Sequence, residues 1–156
     1  MMHLHPDWEF VADRVMGGQS TGAVTQSDLT DGGTARLTGN VSLDNNGGFI
    51  QMAFDLEDGA AFDASGWAGL TLKVRGNGER YDVRLRTTDL TRPWQSYRTE
   101  FTASADWTLL HLPFADFAAH RTEIEFDPAK LRRIGVLAVG RAFAADVTVA
   151  RVGLYR

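Results

Sequence analysis

The feature that most constrains this chain is a two-residue alternation of apolar and polar side chains that recurs in many short segments. Residues 70–75 alternate leucine or valine with threonine, lysine and arginine, and residues 81–86 repeat the pattern after a turn that contains two glycines. Successive side chains of a β-strand point to opposite faces, so this period predicts strands with one buried and one exposed side. The two segments and the turn between them predict a β-hairpin.

Further segments show the same period or are rich in β-branched and aromatic residues, and glycine, asparagine, aspartate or proline separates them: residues 35–43, 49–54, 97–102, 108–112, 134–139 and 147–155. This spacing predicts an all-β fold, an antiparallel β-sandwich or jelly roll. Helical signals are limited to a turn or two over residues 129–133, after Asp127 and Pro128, and a single turn within residues 113–117. A length of 156 residues without a linker predicts one domain over 1–156, with 1–7 frayed.

Charged residues that alternate with the apolar ones are predicted to share one outer sheet face. On that face the cations outnumber the acids Asp82 and Glu100, although the whole chain has a formal charge of −4. The predicted cations are Lys73, Arg75, Arg84, Arg86 and Arg98. Guanidinium groups bind carboxylates, phosphates and sugar hydroxyls, and clustering them costs repulsion, so the row indicates a binding face. The alternative is a solvated surface on which the arginines pair with the local acids.

Aromatic residues extend this hypothesis. Trp94 follows Arg92 and Pro93 in a loop beside Tyr97, where a sugar ring could stack. His111 alternates with two leucines, which predicts a residue of a sheet surface rather than a general base. The candidate binding residues are therefore Arg75, Arg84, Arg86, Arg98, Trp94, Tyr97 and His111.

The chain lacks the residues that several classes of function require. The chain has no cysteine, no Gly-x-Ser-x-Gly elbow marks a serine nucleophile, and Gly76 and Gly78 do not complete a dinucleotide-binding loop. We predict no catalytic residue, no metal site and no cofactor, with a structural calcium at residues 44–47 left open. The negative charge and the lack of a long apolar run predict neither nucleic-acid binding nor membrane insertion. No targeting signal is visible, so we expect a cytoplasmic, bacterial protein.

Two glycine-rich runs carry the most specific motif. The first, DRVMGGQS, contains Asp13, Arg14, Gly17, Gly18 and Ser20, and the second, NNGGF, contains Asn46, Gly47 and Gly48. Paired glycines permit positive φ and close strand approach, while Asp, Asn and Ser bond local amides, so both runs predict fixed corners. With the VRGNGERY run that ends at Tyr81, and a later Ser96-Tyr97, they resemble the complex I intermediate-associated protein family over about residues 8–155. Asn77 stands where that family usually has aspartate.

The resemblance implies a galactose-binding-like jelly roll and a role in assembling respiratory complex I. No catalytic residues are attributed to the family. We therefore expect a non-enzymatic binding domain that holds a protein partner, such as a complex I subunit or intermediate, on the arginine-lined face or an edge strand. The alternative is a carbohydrate-binding domain, in which Trp94 and Tyr97 stack on a glycan while Arg84, Arg86 and Arg98 bond its hydroxyls.

Overall fold

The structure, a computed structural model, describes residues 1–27 and 33–156, without the side chains of Val15, Met16 and Asn46. These residues form short β-strands and four single turns of 3-10 helix, at Asp13–Met16, Asp44–Asn46, Phe114–Asp116 and Pro128–Lys130. The strands are β1 (Met2–His3), β2 (Glu9–Ala12), β3 (Thr21–Ser27), β4 (Thr34–Val41), β5 (Phe49–Asp55), β6 (Gly69–Gly76), β7 (Arg80–Thr87), β8 (Ser96–Thr102), β9 (Thr108–Pro113), β10 (Ala118–His120), β11 (Leu131–Val139) and β12 (Phe143–Tyr155).

The strands form two antiparallel sheets. Sheet I has the order β3-β4-β12-β6-β9, and β1 pairs with the last residues of β12. Sheet II has the order β10-β8-β7-β11-β5-β2. The predicted antiparallel β-sandwich is confirmed.

Apolar side chains from the inner faces of both sheets form one core. In β6 the alternating residues Leu70, Leu72 and Val74 are buried, and in β7 Val83 and Leu85 are buried. Alternation therefore predicted correctly which side of each strand faces inward. The largest fully buried side chains also include Tyr81, Tyr97, Ile50, Met52 and Leu37.

The two predicted helical turns are present. Asp127 caps the second by accepting a 3.0 Å hydrogen bond from the amide of Ala129, and Pro128 occupies the first helical position. This turn ends at Lys130, so its predicted extension to Arg133 is wrong: β11 begins at Leu131, earlier than the predicted strand. The first turn covers Phe114–Asp116.

The predicted hairpin between β6 and β7 is wrong. β6 lies between β12 and β9 in sheet I, whereas β7 lies between β11 and β8 in sheet II. The link between them crosses from one sheet to the other and is bound to the chain after β8. The amides of Gly76 and Gly78 donate to the carbonyls of Ser104 and Ala103 at 2.8 and 2.7 Å. A glycine-rich turn between two alternating strands can belong to a hairpin or to a crossover between sheets. The local sequence is the same in both cases and does not distinguish them.

Residues predicted to be frayed are ordered in part. Met2 and His3 pair with Leu154 and Gly153 of β12, and the amide of Leu4 donates to a carbonyl of the same strand at 2.9 Å. The sequence also gave no sign of β2, β3 and β10, because their residues are mostly exposed and do not alternate. These are edge strands, where burial imposes little pattern.

Candidate binding face

The arginines predicted to share one face lie on two opposite faces. Arg84, Arg86 and Arg98 lie on the outer face of sheet II, whereas Arg75 and His111 lie on the outer face of sheet I. Alternation placed each side chain outward correctly, but β6 and β7 belong to different sheets. The prediction that one binding face contains all seven candidate residues is therefore wrong.

On the outer face of sheet I, the predicted candidates contact aromatic rings. The guanidinium of Arg75 lies 4.6 Å from the ring centre of Trp107, and Lys73 lies over the same ring at 5.7 Å. His111 meets the ring of Tyr155 edge-on at 5.0 Å. These contacts give Arg75 and His111 local partners in the fold.

The outer face of sheet II carries six arginines against four carboxylates. We call it the arginine face. It is defined by Arg80, Arg84, Arg86, Arg98, Arg132 and Arg133 with Glu9, Asp55, Asp82 and Glu100. Gly135 and Ala53 are paired in its middle, where neither side chain extends beyond a methyl group, and the side chains of Gln51 and Leu137 pack beside Gly135. The face is thus shallow and locally positive on a chain with a net charge of −4.

Asp82 organises one half of this face. Its side chain is only 5% exposed and accepts two hydrogen bonds of 2.9 Å from Arg98 and one of 3.0 Å from Arg84. Arg98 also donates to Glu100 at 2.6 Å. Hydrogen bonds to Asp82 and Glu100 raise the pKa of Arg98, so this cation is fixed in both charge and orientation.

A second cluster lies at a β-bulge of β11. The register between β11 and β7 shifts between Leu131 and Arg133, which places Arg132 and Arg133 side by side on the outer face. Arg133 donates to Asp55 at 2.8 Å and also to Glu9. Arg132 lies farther from Asp55, with 3.9 Å between Nε and the carboxylate.

Arg86 faces this cluster from β7. Its cross-strand neighbour is Arg133, and its Nη2 donates to the carbonyl of Arg92 at 2.9 Å. Burial lowers the pKa of Arg86, and the charges of Arg132 and Arg133 lower it further. Among the residues that the structure describes, no carboxylate lies within 4.0 Å of Arg86, so it differs from the other five arginines of the face.

His120 completes the face and was not predicted from the sequence. It lies on edge strand β10, opposite Ser96 of β8. Partial burial lowers the pKa of His120, and the nearby guanidinium groups of Arg84, Arg121 and Arg98 lower it further. An imidazole three residues after Phe117 carries no sequence signal that would place it beside these arginines.

Of the two aromatic candidates, Trp94 is accessible and Tyr97 is not. Trp94 is 54% exposed in the turn that follows β7, and the guanidinium of Arg92 lies 6.0 Å from its ring centre. Tyr97 is 1% exposed, and its hydroxyl donates to the carbonyl of Ile124 at 2.7 Å. Tyr97 faces the core, so the prediction that it stacks on a glycan is wrong.

The DRVMGG and NNGGF runs meet at the side chain of Asp13. This fully buried carboxylate accepts hydrogen bonds from the hydroxyl and amide of Ser20 at 2.5 and 3.0 Å, and from the amides of Gly48 and Phe49 at 2.6 and 3.3 Å. Burial would raise the pKa of Asp13, but these hydrogen bonds outweigh it and hold the pKa below its ordinary value of 3.8.

The other residues of the two runs support this corner. The Nε of Arg14 donates to the carbonyl of Ser20 at 3.1 Å, and Gly17 has φ +86°, which favours glycine. A Cβ at Gly18 or Gly47 would overlap the side chain of Asp13. The two predicted fixed corners are thus one structural unit. The side chain of Asn46 lies outside the described residues.

Tyr81 has the same kind of structural role. It is 1% exposed, and its hydroxyl donates to Asn77 at 2.6 Å and accepts from the amide of Asp146 at 2.9 Å. The amide nitrogen of Asn77 donates to the carbonyl of Ala144 at 2.9 Å. A carboxylate at position 77 could not donate this last hydrogen bond.

The sequence matches the family model described as complex I intermediate-associated protein 30 (CIA30) over residues 2–146. The chain belongs to the CIA30 family. Among curated proteins, no sequence matches this chain. In this CIA30 member, the described residues of the two glycine-rich runs build a corner of the sandwich around Asp13.

Several solved structures that resemble the chain are carbohydrate-binding modules with jelly-roll folds. The family 11 module of the cellulosomal cellulase Lic26A-Cel5E of Clostridium thermocellum has a TM-score of 0.76 at 13% identity, over 99% of this chain and 93% of the module. A family 11 module from Clostridium thermocellum, in complex with a β-1,3-1,4-mixed-linked tetrasaccharide, has a TM-score of 0.74 at 14% identity, over 96% of this chain and 88% of the module. The family 30 module of the cellulosomal cellulase Cel9D-Cel44B, also from Clostridium thermocellum, has a TM-score of 0.64 at 18% identity, over 86% of this chain and 81% of the module. These likenesses confirm the jelly-roll fold.

The described residues contain no cluster of three histidine, aspartate or glutamate side chains arranged to hold a metal ion. The absence of a metal site and of a cofactor stays a prediction, and a structural calcium at residues 44–47 stays open. In the same part of the chain, no helix is long and apolar enough to cross a membrane.

Proposed function

We propose that this CIA30 member is a non-enzymatic binding domain that holds a protein partner on the arginine face during assembly of respiratory complex I. The family match supports the assembly role. The observation that carries the choice of face is the surplus of six arginines over four carboxylates on one shallow sheet surface. A partner segment rich in carboxylates would be attracted to it and oriented by the fixed guanidinium groups.

The shape of the face fits an extended polypeptide. Gly135 and Ala53 place no side chain longer than a methyl group in its middle, while Arg84 and Arg98 on one side and Arg133 on the other stand along it. The guanidinium groups of Arg84, Arg98 and Arg133 are already held by acids of the chain. Little side-chain entropy of these arginines would therefore be lost when a partner binds. Ion pairs on such a face contribute more to specificity and association rate than to affinity.

Glycan binding is the second candidate, and exposed Trp94 favours it. This ring lies in a turn next to the arginine face, because Arg86 donates to the carbonyl of Arg92 in the same turn. The outward-facing strand residues of sheet II, within the part of the chain that is described, include no tryptophan or tyrosine. Stacking would then depend on Trp94 at the margin, which makes a glycan the weaker fit.

Affinity capture from a lysate that contains complex I tests the leading proposal. We expect complex I subunits to be enriched by the unmodified chain and lost with Arg84→Gln combined with Arg86→Gln, because the pair removes two positive charges and leaves Arg98 to bind Asp82. The matched control is Arg36→Gln with Arg75→Gln, which makes the same charge change on sheet I. Equal enrichment by all three proteins would refute a role for the arginine face.

A glycan array with the unmodified chain and Trp94→Ala tests the second candidate. Binding that disappears in the Trp94 variant, together with unchanged subunit capture, would favour the glycan. The cytoplasmic location and the lack of catalytic activity remain predictions of the proposal. Fractionation of the host cell, followed by detection of the chain, would test the location.

A further inference from the structure

Arg86 is the arginine of the face that has no carboxylate of the described residues within 4.0 Å. It is half-buried and sits across the ladder from Arg133, with Arg132 beside it. Its one hydrogen bond from a terminal nitrogen ends on a backbone carbonyl, which is uncharged. Among the described residues Asp55 acts on Arg86 from beyond 4.0 Å, and the charges of Arg132 and Arg133 outweigh it, so the surroundings favour an anion at this point.

The bulge of β11 creates this arrangement. An unbulged strand would direct Arg132 to the core side, but the extra residue turns it outward beside Arg133. The Nε atoms of Arg86 and Arg132 are enclosed by protein and have no acceptor within the described structure, so an anion would approach the terminal nitrogens of the two groups. Arg86 is held by its bond to the carbonyl of Arg92, and Arg132 has an oxygen of Asp55 at 3.9 Å, whereas Arg98 makes three hydrogen bonds to Asp82 and Glu100. The guanidinium groups of Arg86 and Arg132 therefore have donors left for a ligand.

We propose that Arg86 and Arg132 form an oxyanion-binding subsite of the arginine face. Its ligand is a carboxylate or phosphate group, whose oxygens match the planar donor edge of a guanidinium. This inference rests on the proposed function only for the source of the anion, which would be an acidic or phosphorylated group of the partner. The subsite lies beside the turn of Trp94, so the anion would anchor one end of the bound segment.

Thermal unfolding of the intact chain at pH 7 tests the subsite with inorganic phosphate and with acetate as probes. Each is compared with chloride at equal ionic strength, which removes general screening. We expect phosphate at ten times its Kd to raise Tm by about 3 to 6 °C, because an anion bound to the folded state alone stabilises it by mass action. A rise with both probes assigns carboxylates to the subsite, and a rise with phosphate alone assigns phosphate.

The variant Arg86→Gln should lose this rise, and its Tm in chloride should be equal to or higher than that of the unmodified chain, because one of three neighbouring positive charges is gone. Arg80→Gln is the matched control: it lies on the same strand and face, is exposed beside Glu100, and should keep the rise. If Arg86→Gln does not fold, Arg132→Gln and the Nε–H signals of the unmodified chain in an NMR titration with phosphate replace it.

The subsite is overturned if neither anion raises Tm above the chloride value, or if Arg86→Gln retains the full rise. Because the probes are small ions, either result would leave partner capture by the arginine face untouched. Conversely, failure to capture complex I subunits would leave an observed anion effect in place.

Discussion

The amide of Gly48 donates a 2.6 Å hydrogen bond to the carboxylate of Asp13, 35 positions earlier in the chain. The same carboxylate binds the hydroxyl and amide of Ser20. Ser20 in turn accepts from the amide of Ser42 at 2.8 Å. One buried side chain therefore joins the chain after β2 to the start of β5, which gives the two glycine-rich runs of this CIA30 member a structural reason.

Replacing Asp13 with asparagine should destabilise the protein by roughly 2 to 4 kcal/mol. The amide group keeps the shape but has an oxygen at only one of the two carboxylate positions, so the buried donor or donors at the other position face an NH2 group and lose their acceptor, at about 1 to 3 kcal/mol each. Urea unfolding measures the change. Asp63→Asn is the control, because Asp63 is exposed and accepts from Ser65 by a local turn. Equal stability of the two variants would contradict the role of Asp13.

The pH dependence of stability should also report on Asp13. Its pKa is lowered in the folded state, so its contribution is complete above the ordinary value of 3.8 and is lost as the pH falls through the folded-state pKa. Urea unfolding from pH 5 to pH 2 should therefore show a steeper loss of stability in the unmodified chain than in Asp13→Asn. Parallel curves would argue against a lowered pKa.

Alanine at Gly18 or Gly47 should destabilise the protein by about 1 to 3 kcal/mol, because each new Cβ would overlap the side chain of Asp13 and force the corner to move. Gly66→Ala is a matched control. Nothing lies within 4 Å of a Cβ at Gly66, and its φ is not in the left-handed region. That variant should be neutral or slightly stabilising, since alanine restricts the unfolded chain. Thermal unfolding distinguishes the three variants.

Phenylalanine at Tyr81 should cost about 1 to 3 kcal/mol, since it removes the partner of Asn77 and of the buried amide of Asp146 while keeping the ring in the core. Tyr155→Phe, at a half-buried position beside His111, should change stability less. Chemical denaturation of both variants gives the comparison. A larger loss for Tyr155→Phe would show that the Tyr81 hydroxyl is not the important contact.

Lowering the pH should weaken the fold through His120. Its pKa is lowered in the folded state, so the unfolded chain binds the proton first, and stability is lost as the pH falls from about 6.5 through the folded-state pKa. His120→Gln should flatten this part of the stability profile, because no charge then develops beside Arg84 and Arg98. Denaturation midpoints between pH 7.5 and 5 measure the effect, and an unchanged slope in the variant would contradict it.

Strand β7 shows which structural features could be predicted from the sequence. Alternation predicted that Val83 and Leu85 face the core and that Asp82, Arg84 and Arg86 face outward, and the structure confirms each direction. The same reasoning missed His120, whose position on edge strand β10 depends on pairing with β8. It also missed the bulge at Arg132, because one extra residue in a strand leaves no signature in a sequence that has several adjacent polar residues.

The sequence by itself determined the fold class, the inward and outward sides of the main strands, and membership in the CIA30 family, because these depend on local period and on motifs read along the chain. Only the tertiary structure decided which arginines are neighbours. Arg75 and Arg84 are separated by a short link, yet they lie on opposite outer faces, whereas Arg86 and Arg132 are distant in sequence and adjacent in space. Strand pairing is set by packing between remote segments, and a two-residue period carries no information about it.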